Sequence, residues 1–158
     1  MTATSFRRFS FIGFFTLVFA VATLVQPAQA QVTAFMQAVA EAASKDRDIA
    51  EFYRANSYKP IWTEKGGKAK KRREALLRAI EDAPAHGLPA ARYDTKTLEV
   101  NLRRVTSERQ RGQLEVAMSK LFLQYARDIQ TGVVVPARVD SGIVREVPYR
   151  SRSSLLKA

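Results

Sequence analysis

Between Arg111 and Thr131 the apolar residues fall at Leu114, Ala117, Met118, Leu121, Phe122, Tyr125, Ala126 and Ile129. Steps alternating between three and one keep a broad stripe on one face at the helical period. No Pro or Gly falls within the stripe, and Gly132 and Pro136 supply a stop beyond it. Arg111, Glu115, Lys120, Gln124 and Arg127 lie opposite, and the pattern predicts that this face is solvated. A helix of about five turns is long for a small domain, and it is expected to be the central pillar.

Shorter patterned segments precede it. Val32–Ser44 is Ala-rich, with Val32, Phe35, Met36, Val39 and Ala43 on one face. Asp46 is placed to cap a second helix that turns Ile49, Phe52 and Tyr53 inward and ends at Asn56-Ser57. Tyr58-Lys59-Pro60-Ile61-Trp62 reads as extended, because Pro60 lacks an amide proton and biases its neighbour away from helix. After a turn at Glu64–Gly67, a third helix spans Lys68–Ala83, with Leu76, Leu77, Ile80 and Ala83 inward. Pro84–Pro89 forms a turn in which Gly87 suits a left-handed conformation. A fourth helix follows from Thr95 to Val105, offering Leu98, Val100, Leu102 and Val105. Thr106 or Ser107 can cap the pillar, and Gln110 stands at the capping-box spacing from Ser107. Val133-Val134-Val135 is β-prone but short, and Pro136 reduces it to an edge or extended segment. A further helix starts near Ser153 and stops after one turn. The fold class is therefore mostly α: about five helices with short extended segments.

The first thirty residues stand apart. Arg7 and Arg8 precede an apolar run from Phe11 to Val25, and Pro27 leads into Ala28-Gln29-Ala30. This is the layout of a secretory signal peptide with cleavage after Ala30. The run falls short of the roughly twenty residues that span a bilayer, so membrane contact is expected only through this segment. Export to a bacterial periplasm fits best. Residues 31–148 then form one domain, and residues 149–158 the start of a following element.

The formal charge is +11. Removing residues 1–30 takes away two arginines and no acid, leaving 24 cationic against 15 acidic side chains, or +9. Nucleic acid is the usual partner of so basic a chain, but export separates the two, and the basic cluster lacks interleaved aromatics. The anionic partner expected in an envelope is peptidoglycan. Lys68, Lys70, Lys71, Arg72 and Arg73 crowd the first turns of the third helix, where cations oppose the macrodipole by about 0.3 kcal/mol or more each. They form either a solvated charged face or a contact for an anionic surface.

Common catalytic plans fail on inventory. The chain has no cysteine and one histidine, His86, so neither a thiol nucleophile nor a histidine zinc cluster is available. His86 reads as a turn residue. Ser154-Leu155-Leu156-Lys157 has the S-x-x-K spacing of serine enzymes but lacks their partner motifs. No catalytic residue, metal or cofactor is expected.

Three segments in order resemble a known family. Phe52-Tyr53 followed by Tyr58-Lys59-Pro60-Ile61-Trp62-Thr63 resembles the F-Y … Y-x-P-x-W opening of the scaffold region in large murein L,D-transpeptidases. Ala75-Leu76-Leu77 through Ala83, then His86-Gly87-Leu88-Pro89 and Tyr93, is similar to its L-L-x-A … H-G-L-x-P-x-x-Y signature, with Pro89 directly after Leu88. Leu121–Asp128 and Gly132 resemble the final scaffold helix and the turn after it. The resemblance covers about residues 49–148. It implies a helical scaffold whose matching residues, Trp62, Pro60 and Tyr93 among them, serve packing and turns. Enzymes of the family cross-link peptidoglycan stem peptides through a cysteine in a C-terminal β-rich domain. This chain carries no cysteine and stops at Ala158, so a truncated or stand-alone scaffold is expected, partnered by peptidoglycan or a separate catalytic domain. The alternative is an exported basic adaptor that contacts anionic peptidoglycan directly.

Overall fold

A computed structural model of the protein describes residues 33–134, 136–140, 142 and 148–158. The signal-peptide reading of residues 1–30 lies outside them, as do Val32 and Val135. The described residues fall within one compact unit.

Five helices of nine residues or more make up this unit: α1 (Ala34–Ala43), α2 (Arg47–Ala55), α3 (Gly67–Glu81), α4 (Thr95–Arg104) and α5 (Glu108–Thr131). Short α6 (Pro136–Val139) and α7 (Arg152–Lys157) follow. Two 3-10 turns, Ala83–His86 and Ala90–Arg92, join α3 to α4. There is no strand among the described residues, and Val133-Val134 is irregular.

Local chemistry sets the boundaries. The Thr33 hydroxyl accepts from the Met36 amide, Asp46 from Ile49 and Asp94 from Thr97, each capping a helix. Ser107 and Gln110 close the capping box that starts α5. Gly87 is left-handed at φ 72° and ends the first 3-10 turn, as its sequence position requires. Gly132 is the C-cap of α5. Tyr58 departs from expectation: with φ 55° it is left-handed, not extended. Its amide donates to Tyr53 O at 2.7 Å, closing the end of α2 before the chain turns into the Pro60 segment.

The core lies on both sides of α5. On one side Leu114, Met118 and Leu121 pack with Trp62, Leu76, Ile80, Leu88, Tyr93 and Leu98. On the other, Val116 and Leu123 pack with Phe35, Val39, Ile49, Phe52, Tyr53 and Leu156. Ile61 and Phe122 touch both clusters. The single-stripe picture of α5 is therefore corrected. Glu115, expected in solvent, is 0% exposed, and Ser119 is equally buried. Ile129, expected in the core, is 43% exposed. The pillar is flanked by two cores through its middle, while its last turn runs past both.

Smaller differences share this cause. Ala38 replaces half-buried Met36 on the buried face of α1, because α1 crosses closely over Gly112 of α5. Leu77, Val100, Leu102 and Val105 are half-buried, and α4 buries only Leu98. The final helix is short, but Leu156 is buried against the cluster of α1 and α2.

Candidate functional site

Two buried carboxylates on α5 organise the polar interior, and each holds a distant chain segment. Glu115 and Asp128 are thirteen positions apart, so along the helix axis they stand about 20 Å from each other.

Glu115 holds the Pro60 segment. This stretch is irregular, bent at Ile61–Thr63, and has no strand neighbour to take its amide protons, yet buried amides need acceptors. Glu115 Oε1 accepts from Ile61 N at 2.6 Å, Trp62 N at 3.0 Å and the Tyr53 hydroxyl at 2.8 Å. Oε2 accepts from Thr63 N at 2.8 Å and Thr63 Oγ1 at 2.7 Å. One turn on, Ser119 Oγ accepts from Trp62 Nε1 at 2.9 Å and lies 2.8 Å from the Tyr53 hydroxyl. The carbonyls of the same segment are held from the other side. Arg72 Nη1 donates to Ile61 O at 2.5 Å, and Arg73 Nη1 donates to Trp62 O. The segment is thus gripped through both its donors and its acceptors.

Asp128 holds the turn before α4. It is 4% exposed, with Arg92 Nε donating to Oδ2 at 2.6 Å and the Tyr93 hydroxyl to the same oxygen at 2.9 Å. Gln124 Nε2 adds a bond to Arg92 O at 3.3 Å. Tyr93 also meets Tyr125 edge-on, ring centres 5.6 Å apart.

Both phenols are shifted. Burial, then the facing Glu115 carboxylate, pushes Tyr53 far above the usual tyrosine value. Burial first, and donation to Asp128 second, pushes Tyr93 up to about 12. An unfolded chain releases phenolic protons near pH 10, whereas the folded chain keeps these two. Their stabilisation is fully present below about pH 10 and falls as pH rises through the folded values, by about 1.4 kcal/mol per pH unit per phenol. In an alkaline titration, phenolate absorbance from Tyr53 and Tyr93 will appear together with loss of helical circular dichroism. Ionisation of all five tyrosines with the helix signal intact would contradict this.

The motif residues fall mainly around these anchors. Phe52, Tyr53, Trp62, Leu88 and Tyr93 are buried, Tyr58 and Pro60 half-buried, and His86, Gly87 and Gly132 exposed in turns. The basic cluster is divided. Arg72 and Arg73 bind the Trp62 segment, whereas Lys68, Lys70 and Lys71 are exposed, with Lys70 paired to Glu74 at 3.8 Å. Sequence reasoning gave no role to Glu115, Ser119, Arg92 or Asp128. The available signal was Pro60 itself: a segment that it keeps out of helix implies acceptors elsewhere for the amides that follow it.

A cavity of about 600 Å³ opens beside the Glu115 anchor, lined by Phe52, Ile61, Trp62, Arg72, Phe122 and Leu156 among others. Among the described residues no cluster of His, Asp or Glu is arranged to hold a metal, and no helix is long and apolar enough to cross a membrane.

Carboxylates so fully engaged in fixing chain segments define a helical framework domain. The family described as Scaffold domain matches residues 47–158, well over half the chain, and the protein belongs to it. This agrees with the resemblance to the scaffold region of L,D-transpeptidases. No curated protein and no solved structure matches the chain.

Proposed function

We propose that this protein is the non-catalytic scaffold portion of a periplasmic L,D-transpeptidase, active in peptidoglycan cross-linking and cell-wall remodelling. The observation that carries the reading is the double grip on the Trp62 segment by Glu115 and by Arg72 with Arg73. It fixes the floor of the apolar cavity within a scaffold-family fold, as a domain that positions another requires. Transpeptidation through a thioester needs a thiol, and the chain has none. The chemistry therefore belongs to a cysteine-bearing catalytic domain, and this domain holds it and shapes its access to substrate.

A second reading is favoured by the exposure of Lys68, Lys70 and Lys71 on the first turns of α3: direct contact with anionic peptidoglycan. Because Arg72 and Arg73 hold the fold, the informative variant changes only the three lysines to glutamine. Co-sedimentation with purified sacculi tests both readings. Binding that survives the triple substitution at low salt supports a scaffold with its own wall contact, and binding abolished by it supports the basic adaptor. No sedimentation with sacculi, in the presence or absence of a catalytic domain, would contradict both.

A further inference from the structure

A second cavity, of about 580 Å³, lies between the C-terminal half of α5 and the segment that leads into α7. Its size is within the range of ligand pockets, roughly 300–1,000 Å³. Its lining is strongly cationic: Arg92, Lys120, Arg127, Arg138, Arg150 and Arg152. Among the described residues that line it, two are acidic, Asp46 and Asp128, and both are already engaged. Asp128 pairs with Arg92 at 2.6 Å. Asp46 pairs with Arg152, whose Nε also lies 2.9 Å from Asp48 Oδ2 without hydrogen-bond alignment.

The walls are not only charged. Leu123, Val133 and Leu155 contribute apolar surface. Tyr149, 56% exposed, stands with its ring centre 6.0 Å from the Arg127 guanidinium, within cation–π range. The Arg150 amide donates to Gln130 Oε1 at 2.8 Å, which ties this segment to α5.

We infer that this groove binds a short acidic ligand carrying two or more carboxylates. Among the described lining residues cations outnumber acids by four on a concave surface, and charge walls of this kind focus the field and draw in opposite charge. Several guanidiniums on facing elements match the paired oxygens of carboxylates, which arginine takes in a planar two-bond geometry. Apolar patches between them suit the aliphatic spacers of a peptide better than the uniform charge of a polyphosphate. The inference stands apart from the transpeptidase assignment, and its residues are on different elements from the α3 lysines.

Calorimetric titration with synthetic pentaglutamate tests it, with tripolyphosphate as the second probe. Saturable pentaglutamate binding is expected at low salt. The Arg127→Glu, Arg150→Glu double variant should weaken it at least tenfold with an unchanged helical spectrum. The Lys68→Gln, Lys70→Gln, Lys71→Gln variant should leave it within about twofold, which also separates this result from the sacculus experiment. Arg138→Glu provides a second groove variant should the double variant unfold. Equal weakening by both sets of substitutions would overturn the inference, as would absence of saturation. Tighter binding of tripolyphosphate than of pentaglutamate would overturn the carboxylate assignment.

Discussion

Replacing Glu115 by alanine is expected to cost about 4 kcal/mol or more, a large share of the roughly 5–15 kcal/mol that stabilises an ordinary domain. The substitution removes the acceptor of three backbone amides, Ile61, Trp62 and Thr63, and of the Tyr53 and Thr63 hydroxyls. Each buried donor left without a partner costs about 1–3 kcal/mol, less where water enters the space vacated. Glu115→Gln is the sharper comparison because it keeps the shape. Amide hydrogens point at both carboxylate oxygens, so either orientation of the glutamine turns its NH2 group toward a backbone N–H. About 2 kcal/mol should be lost. Trp62, the single tryptophan, is 3% exposed and donates to Ser119, so urea transitions followed by its fluorescence report directly on this site. A loss below about 1 kcal/mol for Glu115→Ala would mean that the carboxylate is not the anchor.

The second large effect is expected at Gly112. A methyl group there would lie 2.7 Å from Phe35 O, 2.8 Å from Ala38 Cβ and 3.2 Å from Val39 N. Two of these are backbone atoms of α1, which cannot swing aside as a side-chain tip does. At an exposed helical position, glycine to alanine would gain about 1 kcal/mol. Here α1 must move away from the pillar, breaking packing at Phe35 and Val39, and a net loss of about 2 kcal/mol is expected. Adding Ala38→Gly should recover only part of it, since the contact with Phe35 O remains. Denaturation of the single and double variants measures this coupling, and a Gly112→Ala protein more stable than the parent would refute the close approach.

These two sites also mark where the sequence was readable and where it was not. The caps at Asp46 and Ser107, the left-handed Gly87 and the inward face of α2 follow from local spacing and backbone chemistry, and all are present. Glu115 was placed in solvent because periodicity assumes one buried face per helix. Its burial depends on donors 52 to 54 positions away, a tertiary fact with no local signature. Gly112 is similar: a glycine just before an apolar stripe says little until a second helix is known to cross it. Arg72 and Arg73 were grouped with the neighbouring lysines by composition, and geometry separates them, because only the arginines reach the carbonyls of the Trp62 segment. The motif residues were read as packing and turn chemistry. The structure adds that Tyr53, Trp62 and Tyr93 also donate to buried acceptors.

For a scaffold role, the consequence is a rigid connection between the α5 pillar and the cavity beside Trp62. Tyr53 and Trp62 of the F-Y … Y-x-P-x-W pattern both donate to one carboxylate, so these two positions mark a three-dimensional anchor. Loss of Glu115 should therefore disturb the cavity floor before it disturbs the Asp128 end of the pillar. The measurement that tests the scaffold reading most directly is cross-linked muropeptide formation by a cysteine-bearing L,D-transpeptidase catalytic domain, followed by mass spectrometry with and without this protein. The account predicts no product from the protein alone, and a stable complex with faster cross-linking when the two are combined. Product from the protein alone, or neither complex nor rate change on mixing, would contradict it.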